Sequence, residues 1–206
     1  NPTNVRINCG TLLDSKRLCL GSDNGVLIYN LETDQFEKNT VEFPSDVRTV
    51  ALSGDILWIG TLNGLYRYNL KSNRLENVSK QKNQGIPHHT IYSIIQTGQK
   101  ILYVGTYNGL CYLNSTSSTF QRIELPVLFA KNNLLVNSLL EDPIRHCIWV
   151  GTEGYLFKYY PETKKVEQIS LFAGNSIKSL ALDLNQNLLL GTDNGLYVYN
   201  SDKNVV

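Results

Sequence analysis

Five stretches of this chain are copies of one another: LCLGSDNGVLIYN, LWIGTLNGLYRYN, LYVGTYNGLCYLN, IWVGTEGYLFKYY and LLLGTDNGLYVYN. Their shared glycines are Gly21, Gly60, Gly105, Gly151 and Gly191, spaced 39, 45, 46 and 40 residues apart. A single copy is too small to bury its own apolar face, so the copies must stack. A period of about 40–45 residues made of short strands is that of β-propeller blades. It is too long for leucine-rich repeats, and no copy has the apolar spacing of a helical repeat. The expected class is therefore all-β, with about five four-stranded antiparallel blades.

Within the second copy the strands are read as Val47–Leu52, Ile56–Gly60, Leu65–Asn69 and Arg74–Val78. Asn63-Gly64 joins the second to the third, and Asn24-Gly25, Asn108-Gly109 and Asn194-Gly195 recur at the same place. Asn-Gly is the pair favoured in type I′ hairpins, where both central residues need φ > 0. In the fourth copy Gly154-Tyr155 stands there instead, and a type II′ turn with Gly154 at its first central position is expected.

The second strand explains the stacking. Leu57-Trp58-Ile59, Leu102-Tyr103-Val104 and Leu188-Leu189-Leu190 are apolar at consecutive positions, the pattern of a strand covered on both faces. The repeat glycine lets neighbouring blades approach closely. Blade limits are read as 4–43, 44–86, 87–131, 132–173 and 174–206, with a first strand near Val5 and a last one at Asn204-Val205-Val206. A small five-bladed ring and an arc of a larger one are both open. An arc would expose two apolar end faces, so the larger ring is the better expectation.

Gly60-Thr61-Leu62-Asn63-Gly64-Leu65-Tyr66-Arg67-Tyr68 and Gly191-Thr192-Asp193-Asn194-Gly195-Leu196-Tyr197-Val198-Tyr199 resemble the two-component regulator propeller repeat. The first copy departs from it at Ser22, Val26, Leu27 and Ile28, the third at Cys111 and Leu113, the fourth at its turn. The resemblance implies a fragment of the periplasmic sensor region of a hybrid two-component system. It also implies a seven-bladed ring, other blades and domains of a parent chain, a homodimeric parent, and a glycan-derived signal. Transcription would be controlled through kinase and DNA-binding domains that these residues do not contain, so any kinase activity belongs to the parent.

Other classes find little support. The formal net charge is +1 with no basic run, so nucleic-acid binding has no electrostatic footprint. No apolar run approaches the roughly 20 residues of a membrane helix, and no signal-peptide pattern opens the chain. Methionine is absent, position 1 included, which fits a segment of a longer protein. Cys9, Cys19, Cys111 and Cys147 lack zinc-ligand spacing and are read as apolar strand residues, with a disulfide as the alternative. His88 and His89 are adjacent, so in an extended segment they point apart, a poor arrangement for metal ligation; His146 lies in a turn. Asp23, Glu153 and Asp193 recur in turns, as turn formers do. No catalytic, metal or cofactor site is expected, and HExxH, GxSxG, Walker A and GxGxxG are missing.

One set of positions stands out as a candidate ligand site. At the start of each innermost strand come Val5-Arg6, Val47-Arg48, Ile91-Tyr92, Val136-Asn137 and Ile177-Lys178. The first residue stays apolar while the second varies, as packing beside a free surface requires. Arg6, Arg48, Tyr92, Asn137 and Lys178 are expected to converge on one mouth of the central channel. There the cations suit an acidic oligosaccharide, and Tyr107 in an adjacent turn can stack on a sugar. The competing readings are a polar, water-filled channel and a scaffold that binds a protein or dimerises without any small ligand.

Overall fold

The computed structural model describes residues 5–37, 41–42, 46–80, 84–114, 116–126 and 134–206. They form five antiparallel sheets in succession. The first holds β1 (Ile7–Leu12), β2 (Arg17–Ser22), β3 (Gly25–Asn30) and β4 (Gln35–Phe36), with β5 (Val41–Glu42) also pairing β3. The second is β6 (Val47–Ser53), β7 (Ile56–Thr61), β8 (Gly64–Asn69) and β9 (Arg74–Asn77). The third is β10 (Ile91–Gln96), β11 (Leu102–Thr106), β12 (Gly109–Leu113) and β13 (Gln121–Ile123). The fourth is β14 (Val136–Asp142), β15 (Cys147–Thr152), β16 (Leu156–Tyr160) and β17 (Lys165–Ile169). The fifth has β18 (Ile177–Leu182), β19 (Leu188–Thr192) and β20 (Gly195–Tyr199). A bridge between Asn200 and Val205 stands where Asn69 pairs with Arg74 in the second sheet.

The core lies between blades rather than within them. Each of four apolar clusters joins one blade to the next; Trp58 and Leu65, for example, pack with Ile91, Ile94 and Val104 of the following blade. The joint repeats in detail. A Cβ on Gly21 would lie 2.5 Å from Val47 Cγ1, and one on Gly60 would lie 2.6 Å from Ile91 Cγ2. Gly105 stands in the same way against Val136, and Gly151 against Ile177. The glycine is therefore the hole into which the next blade's first β-branched side chain fits.

Both-face burial holds for β7, β11 and β15, but the end blades depart from it. In β19, Leu189 is only half-buried, contrary to the reading of its apolar triplet. Gly191 meets no residue of a following blade, and Ile7 is 44% exposed where Val47, Ile91, Val136 and Ile177 are all at 0%. The two ends of the arc thus show the unfilled halves of one joint.

The hairpin turns are not type I′. The paired residues closing the second blade's turn are Thr61 and Gly64, so Leu62 and Asn63 are central, and neither has positive φ. Gly64 takes it instead, at φ +148. The cause is Thr61, whose Oγ accepts the Asn63 N–H at 3.0 Å and donates to the Gly64 carbonyl at 3.0 Å. Ser22, Thr106 and Thr192 repeat both bonds. In the fourth blade Thr152 donates to the Tyr155 carbonyl, which makes Gly154 the second central residue, not the first. Its φ of +101 falls where a type II turn needs glycine. A second device went unread in the sequence. Tyr29, Tyr68 and Tyr199 each donate a hydroxyl to a residue five positions on (Asp34, Asn73 and Asn204), and all three acceptors sit at positive φ.

Candidate functional site

Every innermost strand begins with a β-bulge. Val47 pairs with Thr61 and Thr49 with Gly60, which leaves Arg48 as the extra residue. Tyr92, Asn137 and Lys178 occupy the same place in β10, β14 and β18. A bulge re-aims the side chain it carries and ends regular pairing, so these residues are freed from the sheet by geometry. The innermost strands of successive blades pack side by side, which brings the bulges to one end of the channel.

The first blade corrects the sequence reading. Its bulge lies between Ile7 and Cys9, so Asn8 is the counterpart of Arg48, and Arg6 is not. Asn8 Nδ2 donates to the Val47 carbonyl at 3.0 Å, tying the first blade to the second. Arg6 instead corresponds to Asp46, the residue before β6: its carbonyl accepts the Asp23 N–H just as that of Asp46 accepts the Leu62 N–H. Val5-Arg6 and Ile7-Asn8 are both apolar-then-polar pairs, and that pattern alone does not show which of them opens the strand.

The electrostatics of this end differ from a ring of free cations. Arg6 Nη2 lies 3.3 Å and Arg48 Nη2 3.4 Å from the same oxygen of Asp46. Arg48 Nε is buried and has no hydrogen-bond partner among the described residues. Lys178 is exposed. Asn137 reaches Ser176 Oγ at 3.5 Å. The recurring turn acids have a structural task here: Asp23 accepts the Arg6 N–H and Asp193 the Ser176 N–H, pinning each hairpin to the start of its own innermost strand.

Tyr107, in the turn between β11 and β12, belongs to an aromatic row. Its ring lies 5.1 Å from His88, which stacks on His89 at 4.3 Å with 25° between the planes. The two histidines therefore do not point apart. His88 Nδ1 accepts the Thr90 N–H at 3.0 Å, and this bend folds the segment out of the extended form in which neighbours diverge. Burial and the charge of His89 both hold the His88 imidazole below its ordinary pKa. Stacked rings cannot aim two nitrogens at one ion. Among the described residues no group of three or more His, Cys, Asp and Glu is arranged to hold a metal.

The remaining titratable groups are structural. Burial pushes the thiols of Cys19 and Cys147 up to about 12 and that of Cys9 up to about 11. Asp142 is buried and takes the Trp149 indole N–H at 3.1 Å and the Arg145 guanidinium at 3.1 Å. Arg145 in turn reaches Asp202 of the fifth blade at 2.9 Å. His146 sits exposed at φ +50 in the turn between β14 and β15.

Sheets stacked around an axis by fitting a β-branched side chain against a glycine, with bulged innermost strands, define blades of a β-propeller. The chain's close structural neighbours include extracellular domains of two-component systems. It is 53% identical to the extracellular domain of BT4673 from B. thetaiotaomicron, with a TM-score of 0.91, over 98% of this chain and 27% of that one. That protein is described both as a one-component and as a hybrid two-component system. The extracellular domain of the hybrid two-component system BT3049 shares the fold, at 19% identity and a TM-score of 0.76 over 97% of this chain and 29% of that one. Histidine kinase P4 of Formosa agariphila is 31% identical over 143 residues, which are 64% of this chain and 10% of that protein. This chain thus spans 27%, 29% and 10% of the lengths of these three proteins, respectively. No family model matches it. No helix among the described residues is long and apolar enough to cross a membrane.

Proposed function

We propose that this chain is part of the signal-recognising region of a hybrid two-component regulator, acting by binding and not by catalysis. The observation that carries the reading is the 53% identity to the extracellular domain of BT4673 across 98% of the chain. On this reading the domain lies in the periplasm and takes a glycan-derived oligosaccharide at the bulge end of its channel. Binding is relayed to kinase and DNA-binding domains of the parent. The open joint between Ile7 and Gly191 supports completion of the ring by further blades; a total of seven is what the repeat resemblance implies.

Asn8, Arg48, Tyr92, Asn137 and Lys178 carry the ligand, with Tyr107 and its histidine neighbours as a flat wall for a sugar ring. A specific observation favours the scaffold reading: Asp46 pairs with both arginines and offsets one of their two charges, so the mouth offers an anion less than a count of cations suggests. Thermal unfolding against a panel of neutral and acidic oligosaccharides separates the two readings, because a ligand of the folded form must raise the midpoint. The sensing reading expects a shift with at least one glycan, lost in the Arg48→Ala, Lys178→Ala double variant. A shift that survives both substitutions moves the site elsewhere. No shift with any glycan, together with concentration-dependent dimers, establishes the scaffold.

A further inference from the structure

At the opposite end of the strands from the bulges, the third and fourth blades part around a cleft of about 260 Å³. One wall is Thr97, Gly98, Gln99 and Ile101 of the turn between β10 and β11; the other is formed by Glu141, Pro143, His146, Ile148, Pro161 and Glu162 of the fourth blade. Its chemistry is divided. Ile101, Ile148 and the two prolines make apolar sides, Glu141 and Glu162 supply acid, His146 stands at the edge, and no lysine or arginine is among the described residues that line the cleft.

Glu141 is held in place across the seam. Both of its carboxylate oxygens lie near the Gly98 N–H, at 3.2 and 3.1 Å, so the charge is fixed at the junction between blades. Asp142 also borders the cleft, but its oxygens are committed to Arg145 and Trp149. The open acceptor capacity is therefore that of Glu141 and Glu162.

We propose that this cleft receives an arginine side chain presented by a protein partner. An arginine has the matching division: an aliphatic stem for the isoleucine and proline sides, and a planar donor fork for carboxylates. Guanidinium is less strongly hydrated than ammonium, so it enters a half-enclosed acidic cleft more readily than lysine does. The lining phenol, Tyr103, is buried and presents no face on which a sugar could stack.

The test is an NMR titration of the whole 206-residue chain with the peptide acetyl-Gly-Arg-Gly-amide, following the Gly98 amide. Peptides with citrulline or lysine in place of arginine serve as comparisons. Citrulline keeps the shape and loses the charge. A charge-assisted hydrogen bond is worth enough that its loss weakens binding by about tenfold. The expected result is a saturable shift at Gly98, about tenfold weaker with citrulline and weaker with lysine. Glu162→Gln, on an exposed side chain, and Glu141→Gln, which keeps an acceptor for Gly98, should each reduce it while the rest of the spectrum stays unchanged. Citrulline or lysine binding as tightly as arginine overturns the proposal. So does a Gly98 amide that does not respond, or binding indifferent to both substitutions in variants whose spectra show the native fold.

Discussion

Ile91 covers Gly60 so closely that a Cβ on the glycine would stand 2.6 Å from Ile91 Cγ2 and 2.6 Å from Thr49 Cγ2. Neither methyl group can retreat without moving an innermost strand. Gly60→Ala should therefore destabilise the chain by about 2 kcal/mol, the usual scale for overpacking a filled core. Gly191→Ala meets only the Ser179 hydroxyl at close range and should cost clearly less, as urea unfolding of the two variants will measure. If the chain is extended by a following blade that closes the joint, the two costs should become similar.

Thr61 closes its hairpin through two hydrogen bonds from one buried hydroxyl. Thr61→Val keeps the shape and removes both. A loss of about 1–2 kcal/mol is expected, since each such bond contributes on the order of 1 kcal/mol. The half-buried Thr192 makes the same bonds nearer to solvent, and its valine variant should lose less, because water can replace them. Thermal unfolding of the two variants provides the comparison.

Asp142 ties the fourth blade together. Burial works against its charged form. The Arg145 backbone N–H, the Trp149 indole N–H and the Arg145 guanidinium outweigh that and hold the carboxyl below its ordinary pKa. A depressed carboxylate pKa adds stability that is complete above the unfolded value, about 3.9, and is lost as the pH falls through the folded value. Stability should therefore drop below about pH 4, and Asp142→Asn should reduce that part of the drop. Asp142→Ala leaves Arg145 half-paired and Trp149 without its acceptor, and should cost about 3 kcal/mol at neutral pH. Denaturant unfolding from pH 3 to 7 reads both effects.

His88 should titrate below an ordinary histidine, because both its burial and the neighbouring His89 charge disfavour the imidazolium. Two-dimensional NMR of the ring protons across pH 5–8 measures this directly. His89→Ala should move the His88 value back up, whereas a value unmoved by that substitution would leave burial as the sole cause.

The four cysteines should be poor nucleophiles in the folded chain. Reaction requires the thiolate, and the thiols of Cys9, Cys19 and Cys147 are pushed up to about 11, 12 and 12 by burial. A thiol reagent at pH 8 should react slowly with the native protein and with all four groups after denaturation. On raising the pH, half-buried Cys9 should respond first.

Much of the architecture was legible in the chain because it depends on short-range properties. The glycine spacing, the apolar triplets and the small turn residues are local, and each recurs often enough to be checked against its copies. The turn chemistry was legible only in part. Asn63-Gly64 has the composition of a type I′ turn, yet the Thr61 hydroxyl moves the positive φ onto Gly64 alone.

The candidate site was less legible. Arg48, Tyr92, Asn137 and Lys178 were found from the repeat, and the structure puts all four on bulges. In the first blade two apolar-then-polar pairs stand in tandem, and the pairing of β1 puts Ile7-Asn8, not Val5-Arg6, at the bulge.

The strands of each unit, its repeat glycine and the apolar residue that opens its innermost strand are legible in the local sequence. How that residue fills the glycine hole of the blade before it, and which charges meet, follows from the arrangement of the blades in space. Asp46 pairs with Arg6 across 40 residues of chain, and Glu141 reaches Gly98 across 43. The reason is physical. Blade packing depends on side-chain volume, which repeats with the sequence, whereas the charge at each end of the channel depends on which variable residues of different blades come within hydrogen-bond distance.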